Sequence, residues 1–321
     1  MKFGLCETSQ GKGLVLAEHI SLSNGDDLPK GTVLEPKDIA RLTMANIKQI
    51  IVAQLDTHDI DAASAALKIA QTMVPFPSDA LVRIVPGPYG SVRLVANAAG
   101  VVGIDTAAVS RMNMVDGVMS IATLPQLHRV EKGDDIAVIT LVSCGVKRSS
   151  LGRVLADAYD VIYVRPVIAR TASLIQTVSR GTPDPKGEIG VRLRLERLGV
   201  ELIQSNLVPH ASDALGEAIA GVEGDVLLIM TAQPTQDIDD VAPSAIVAAG
   251  GVITRFGVPV HPGAHFFAGG LGAVPILGVP ECLRDPEFCG VDWILERLLC
   301  GVPVTDQDIA ALSVGGLFPR A

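Results

Sequence analysis

Apolar positions along the chain fall into short aliphatic runs, separated by polar loops and by stretches with helical spacing. One stretch organises the rest. Asp225-Val-Leu-Leu-Ile-Met230 is short and aliphatic, the pattern of a buried strand. A polar loop runs from Thr231 to Asp240, and Val241–Ala249 reads as a helix. Asp239 or Asp240 is placed to cap that helix, Pro243 sits in its first turn, and Gly250-Gly251 ends it. A strand whose C-terminal end feeds a helix through a polar loop is where open α/β sheets bind ligands. An acidic connection of this kind is also what an ordinary βα loop shows, so the pattern alone leaves both readings open.

The same reading carries over the whole chain. Asn24-Gly25 and the segment through Gly31 carry turn signals. A helix is predicted over Lys37–Asn46, with Ile39, Leu42 and Ile47 near one face, and a strand over Ile50–Leu55. Asp61–Val74 is Ala-rich with helical spacing and is stopped by Pro75-Phe-Pro77. Strands follow at Leu81–Val85, Ser91–Ala96, Val101–Ile104, Met119–Ala122 and Ile136–Val142, with a helix at Thr106–Met112 and a charged turn at Glu131–Asp135. This mixture predicts an α+β domain over residues 1–146, joined through Lys147-Arg-Ser-Ser150 as a linker to a second domain over 151–321.

In the second domain helix and strand alternate. Leu151–Ala158 reads as a helix, and Val161–Val167 and Ser173–Val178 as strands. Arg180–Gly187 is a loop, Glu188–Leu198 a helix ended by Gly199, Val200–Val208 a strand and Ala211–Ala220 a helix. Residues 257–281 are rich in Gly and Pro, with one strand at Val274–Val279. Trp293–Leu299 is a helix, and Val304–Ile309 opens another through a Thr or Asp cap. The expected fold class is α/β: a mostly parallel sheet in a three-layer α/β/α arrangement, preceded by the α+β domain.

Composition supports this and narrows the function. Hydrophobic residues make up 48% of the 321 and charged residues 19%, enough for a large core. Aromatics are 3%, with one Trp, so the core is packed by aliphatic side chains, as suits parallel strands flanked by helices. A formal charge of -9 argues against nonspecific nucleic-acid binding, but not against a local site for a phosphorylated small molecule. The N-terminus turns polar too early for a signal peptide, and no long run is apolar and free of charge and Pro. No membrane span is expected. Five scattered cysteines, an odd number, read as free thiols of a cytoplasmic protein.

The loop Thr231–Ala245 resembles the molybdopterin-binding motif of molybdopterin adenylyltransferases and molybdenum insertases. There a strand ends in Thr-Gly-Gly-x-Gly, and an Asp, a hydrophobic residue, Thr and Pro then open a helix. Thr231 opens the matching stretch, and Asp240 and Pro243 fall at the places of that Asp and Pro. Pro262-Gly263, Gly269 and Gly278-Val-Pro280 are similar to the family's Pro-Gly-Lys-Pro and Gly-Leu-Pro-Gly segments. Asp184-Pro-Lys-Gly187 matches a Gly/Asp-rich loop, and Leu28–Ile47 looks like the segment preceding the insertase's catalytic domain. The chain departs from the family at Ala232, Gln233 and Thr235, which stand where it has glycines. Glu281 stands for a Gly and Ala264 for a Lys, and Pro234 has no N–H to donate.

The resemblance implies a role in molybdenum cofactor biosynthesis, with molybdopterin as ligand or substrate. The chemistry would be Mg²⁺-dependent adenylyl transfer or molybdate insertion, with ATP or molybdate as further partners and a homo-oligomeric assembly. It marks Asp240 as catalytic and Asp237 with Asp240 as metal ligands. Thr231, Gln233, Thr235, Asp237, Pro243, Pro262, Gly263, Gly269, Gly278 and Pro280 become cofactor contacts. The missing glycines favour an alternative, a carrier, sensor or assembly module that binds the cofactor without catalysis. An unrelated phosphosugar or nucleotide enzyme on the same sheet is a third reading. For Asp240 helix capping stands beside a ligand role, and both can hold together; for Gly263, Gly269 and Gly278 turn geometry competes with close approach of a pterin. His261 and His265 with Cys282 and Cys289 have a spacing that fits no familiar zinc site. Gly269-Gly270-Leu-Gly272 is too short a signal for a dinucleotide.

Overall fold

The computed structural model describes residues 1–22, 26–179 and 186–318. The turn expected at Asn24-Gly25 therefore lies outside the described residues, as do Asp184 and most of the loop Arg180–Gly187. The chain forms two units. One comprises Met1–Ala98 and Val102–Arg165, the other Ala99–Val101 and Pro166–Ala321.

In the first unit, strand Lys2–Glu7 pairs antiparallel with Gln49–Gln54, which pairs on its other side with Val15–Leu16. Helix Pro36–Met44 starts at a reciprocal cap between Glu35 and Asp38 and buries Leu42. Its Leu42 joins Leu16, Leu28, Leu34 and Ile50 in a small core. A second, larger core forms where helix Ala62–Met73 lies on an antiparallel sheet. The strand order of that sheet is Met119–Thr123, Asp135–Leu141, Val92–Ala96, Val82–Pro86. Asp61 caps the helix by accepting from the Ser64 amide, and Ala65, Ala66, Ile69, Ala70 and Met73 form its buried stripe.

The predicted linker at Lys147–Ser150 is not one. Lys147 ends strand Gly145–Lys147, and Arg148 begins helix Arg148–Asp157. Leu151, Val154 and Ala158, then Ile162 and Val164 of strand Ile162–Pro166, are buried in the first unit's core. The division thus falls after Arg165, not at 147–150. The polar run Lys147–Ser150 ends a strand and starts a helix whose next turns supply core residues.

The second unit carries β1 (Thr171–Val178), α1 (Lys186–Arg197), β2 (Glu201–Pro209), α2 (Ser212–Ala220), β3 (Val226–Met230), α3 (Val241–Ala248), β4 (Val252–Phe256), β5 (Phe267–Leu271), β6 (Val274–Gly278), α4 (Asp292–Leu299) and α5 (Asp306–Ala311). The six strands form one sheet in the order β2-β1-β3-β6-β5-β4. β2, β1, β3 and β6 run parallel, and β5 and β4 add antiparallel. All five residues of β3 are buried, as a central parallel strand requires. Its side chains alternate between two apolar cores. Val226, Leu228 and Met230 join α1, α4 and α5, and Leu227 and Ile229 join α2 and α3.

β4 and β5 fall in and beside the Gly/Pro-rich segment, where only the last strand was expected. Glycine is what allows them. A Cβ on Gly269 of β5 would run into the Val252 carbonyl oxygen, next to a register shift between Ile253 and Arg255. A Cβ on Gly278 of β6 would occupy the ring of Phe267, which is buried across it. These two glycines answer strand packing.

Candidate functional site

Parallel strands β3 and β6 end on the same edge of the sheet, and a cavity of about 600 Å³ opens beyond them. Thr231, Pro234 and Thr235 line it after β3, and Val279, Pro280, Glu281 and Cys282 after β6. Lys186, which opens α1, contributes from the helix following β1. The Pro262-Gly263-Ala264-His265 loop closes another side. This is the carboxyl-end crevice where open sheets hold ligands.

The loop after β3 is held from within. The Thr231 hydroxyl donates to the Gln233 carbonyl at 2.6 Å and lies 3.4 Å from the Thr235 hydroxyl. The Ala232 N–H donates to Thr177 Oγ1 at 2.9 Å, and that hydroxyl lies 2.9 Å from His210 Nδ1. His265 Nδ1, 3.1 Å from the Thr235 carbonyl oxygen, ties the second loop to the first. Two of the positions where the family has glycine are therefore part of an ordered structure: the Ala232 amide is already bonded, and Thr235 is buried.

The acidic residues of the loop after β3, Asp237, Asp239 and Asp240, do not line the cavity. Asp240 Oδ1 accepts from the Val241 N–H at 2.7 Å and Oδ2 from the Gln236 N–H at 3.1 Å. It is the N-cap of α3, one of the two roles its position in the sequence offers. Asp237 Oδ1 accepts from the Asp239 N–H at 2.9 Å. Among the described residues no group of three or more His, Cys, Asp or Glu side chains is placed to hold a metal ion. Asp237 and Asp240 each accept backbone amides of their own loop, and neither lines the cavity. Of the expected contacts, Thr231, Thr235, Pro262, Gly263 and Pro280 line the cavity, while Gln233, Asp237, Asp240, Pro243, Gly269 and Gly278 do not. Pro243 is buried in the first turn of α3.

The remaining wall is built by a residue the sequence reading passed over. Arg194 lies in the apolar stripe of α1 with Val191 and Leu195 and is only 5% exposed. Its Nε donates to Asp292. Its Nη1 donates to the carbonyls of Gly190, Leu283 and Asp285, and its Nη2 to that of Glu287. One guanidinium thus pins the backbone from Leu283 to Glu287 and the first residue of α4. Gly190 lets that segment touch α1 directly, because a Cβ there would meet the Leu283 carbonyl. The available signal was an arginine at a core position of a helical repeat.

On this pinned segment sit Arg284, Asp285, Glu287, Phe288 and Cys289, all facing the cavity. Phe288, 44% exposed, joins Trp293 and Phe318 in an edge-to-face cluster with centroids 5.3 to 5.8 Å apart. The cavity therefore combines an aromatic wall, the cations Lys186 and Arg284, and the acids Glu281, Asp285 and Glu287. Cys282 Sγ donates to Cys289 Sγ at 2.9 Å. That bond, with burial, pushes the Cys282 thiol up, and the same bond holds Cys289 below the ordinary thiol range.

No family model matches the chain, and neither does any curated protein. Among solved structures the chain is similar to the molybdopterin biosynthesis protein MoeA of Pyrococcus horikosii. The identity is 12%, covering 94% of this chain and 75% of that one, with a TM-score of 0.33. A molybdenum cofactor biosynthesis protein of Pyrococcus furiosus is 13% identical over 94% of this chain and 66% of its own, at a TM-score of 0.27. The molybdopterin biosynthesis enzyme MoaB of Thermus thermophilus is 16% identical over 42% of this chain and 98% of its own, at a TM-score of 0.32. Likenesses this distant leave the function to be read from the chain's own residues.

Proposed function

We propose that the second unit binds a molybdopterin-type phosphorylated pterin in this cavity and serves molybdenum cofactor biosynthesis as a binding module. The convergence of Thr231, Thr235, Pro262, Gly263 and Pro280 around one crevice at the strand ends carries the reading. These residues come from both motif segments, separated along the chain and joined in space by His265. The exposed face of Phe288 suits a flat heterocycle, and Lys186 and Arg284 suit a phosphate. Cores on alternate faces of β3 support the three-layer arrangement in which such crevices form.

Binding without turnover is favoured over adenylyl transfer or molybdate insertion because Asp240 caps α3 and does not line the cavity. Titration calorimetry with molybdopterin tests the binding. The full chain is expected to bind, and Thr235→Trp, which fills the crevice, is expected not to. Silence from the unaltered chain would overturn the proposal. Incubation with molybdopterin, ATP and Mg²⁺ separates the two readings. An adenylylated product lost in Asp240→Asn would establish the enzyme instead.

A further inference from the structure

Two cysteines face the cavity, and ligand binding as proposed makes no use of them. We propose that Cys282 and Cys289 form a dithiol that peroxide converts reversibly to a disulfide, a modification site on the cavity wall. The inference rests on the thiols' own geometry and holds whether or not a pterin binds there.

Both thiols are free, and their sulfurs are 2.9 Å apart. A disulfide bond is about 2.05 Å long, so little further approach is needed. The two lie seven positions apart in sequence, on a segment whose backbone Arg194 and Asp292 already hold. Asp292 Oδ2 accepts the N–H of Cys289 at 2.7 Å, which fixes that residue against its partner. Both residues line the cavity, which gives a small oxidant a route to the pair although Cys289 is only 2% exposed.

The pair is asymmetric. Cys289 receives the S–H of Cys282 and the Val291 N–H, and the Arg194 guanidinium is near; these favour its thiolate against burial and the Asp292 charge. The remaining thiols lack this arrangement. Burial pushes Cys144 up and Cys300 up to about 11, and Cys6 donates to the Glu7 carbonyl.

Chemistry follows from that order. The Cys289 thiolate attacks one oxygen of hydrogen peroxide. An S–O bond forms, the O–O bond breaks, and hydroxide leaves and is protonated to water. The sulfur is oxidised to a sulfenic acid and the peroxide is reduced. Cys282, giving up its proton, then attacks that sulfur. The S–S bond forms, the S–O bond breaks, and the departing hydroxide takes the proton as a second water. Two thiols and one peroxide thus become one disulfide and two waters. A small dithiol reverses the change by exchange.

The test treats the full chain with hydrogen peroxide in the absence of pterin, then counts thiols under denaturing conditions and maps peptides without reduction. The five thiols of the chain should fall to three, with a Cys282–Cys289 link, and return to five with dithiothreitol. Cys282→Ser should leave a sulfenic acid on Cys289 that dimedone traps, and Cys289→Ser should leave Cys282 unmodified. Five persistent thiols would overturn the proposal. So would oxidation at Cys289 no faster than at Cys300, or dimedone capture at Cys282 in the Cys289→Ser chain. The peptide map of the unaltered chain decides even if a variant fails to fold.

Discussion

Asp240 makes two backbone hydrogen bonds that hold its loop and cap α3. Its removal is therefore a stability experiment before it is an activity experiment. Asp240→Ala should lose about 1 kcal/mol of stability, the usual cost of an N-cap, while Asp240→Asn keeps most of it. Urea denaturation of the two variants checks this. Asp225, at the start of β3, is a second carboxylate serving backbone. Its Oδ2 accepts from the Arg170 N–H at 2.7 Å and the Thr171 N–H at 3.0 Å. These bonds hold its carboxyl below the usual value of 3.8. A carboxylate depressed in the folded state stabilises above its unfolded pKa, and that stability is lost as pH falls through the folded value. The melting temperature of Asp225→Asn should accordingly lie below that of the unaltered chain at neutral pH. The gap should close as the solution is acidified past the folded value.

At the scale of elements, the cavity wall depends on α1 reaching the segment before α4. Arg194 and Asp292 are both buried, with side chains 5% and 6% exposed. Arg194→Met should cost about 3–5 kcal/mol, because it strands a buried carboxylate and four carbonyls. Adding Asp292→Leu should recover part of that loss, and a double-mutant cycle on denaturation midpoints measures how much. Most elements were legible in the sequence. The helix at 61–74 carried its cap and period, and the strand at 225–230 its unbroken aliphatic run. The strands at 252–256 and 267–271 were not read, because Phe267-Ala-Gly-Gly-Leu271 looks like a loop until Gly269 is seen to lie against the Val252 carbonyl. Nor was the boundary after Arg165, since Leu151, Val154 and Ala158 reveal their side only when packed.

On the scale of the molecule, each unit has its own apolar core, around Ile69 in the first and Leu228 in the second. Ile69→Ala and Leu228→Ala should each cost about 2–5 kcal/mol. Hydrogen exchange read by mass spectrometry should show the loss of protection concentrated in the unit that carries the substitution. Among the described residues no helix is long and apolar enough to cross a membrane.

From the residues alone came most of the helices and strands and the mostly parallel sheet, which rest on local period, caps and turn residues that neighbours in sequence impose. The two segments that meet at the sheet's edge were marked by their resemblance to known motifs. Tertiary structure alone decided that Asp240 caps α3 away from the cavity, that Gly269 and Gly278 meet a strand carbonyl and the Phe267 ring, and that Cys282 meets Cys289. The Arg194–Asp292 pair spans 98 positions, and no local pattern records a partner that distant. Burial and contact assign such roles, and they exist only once the chain has closed on itself.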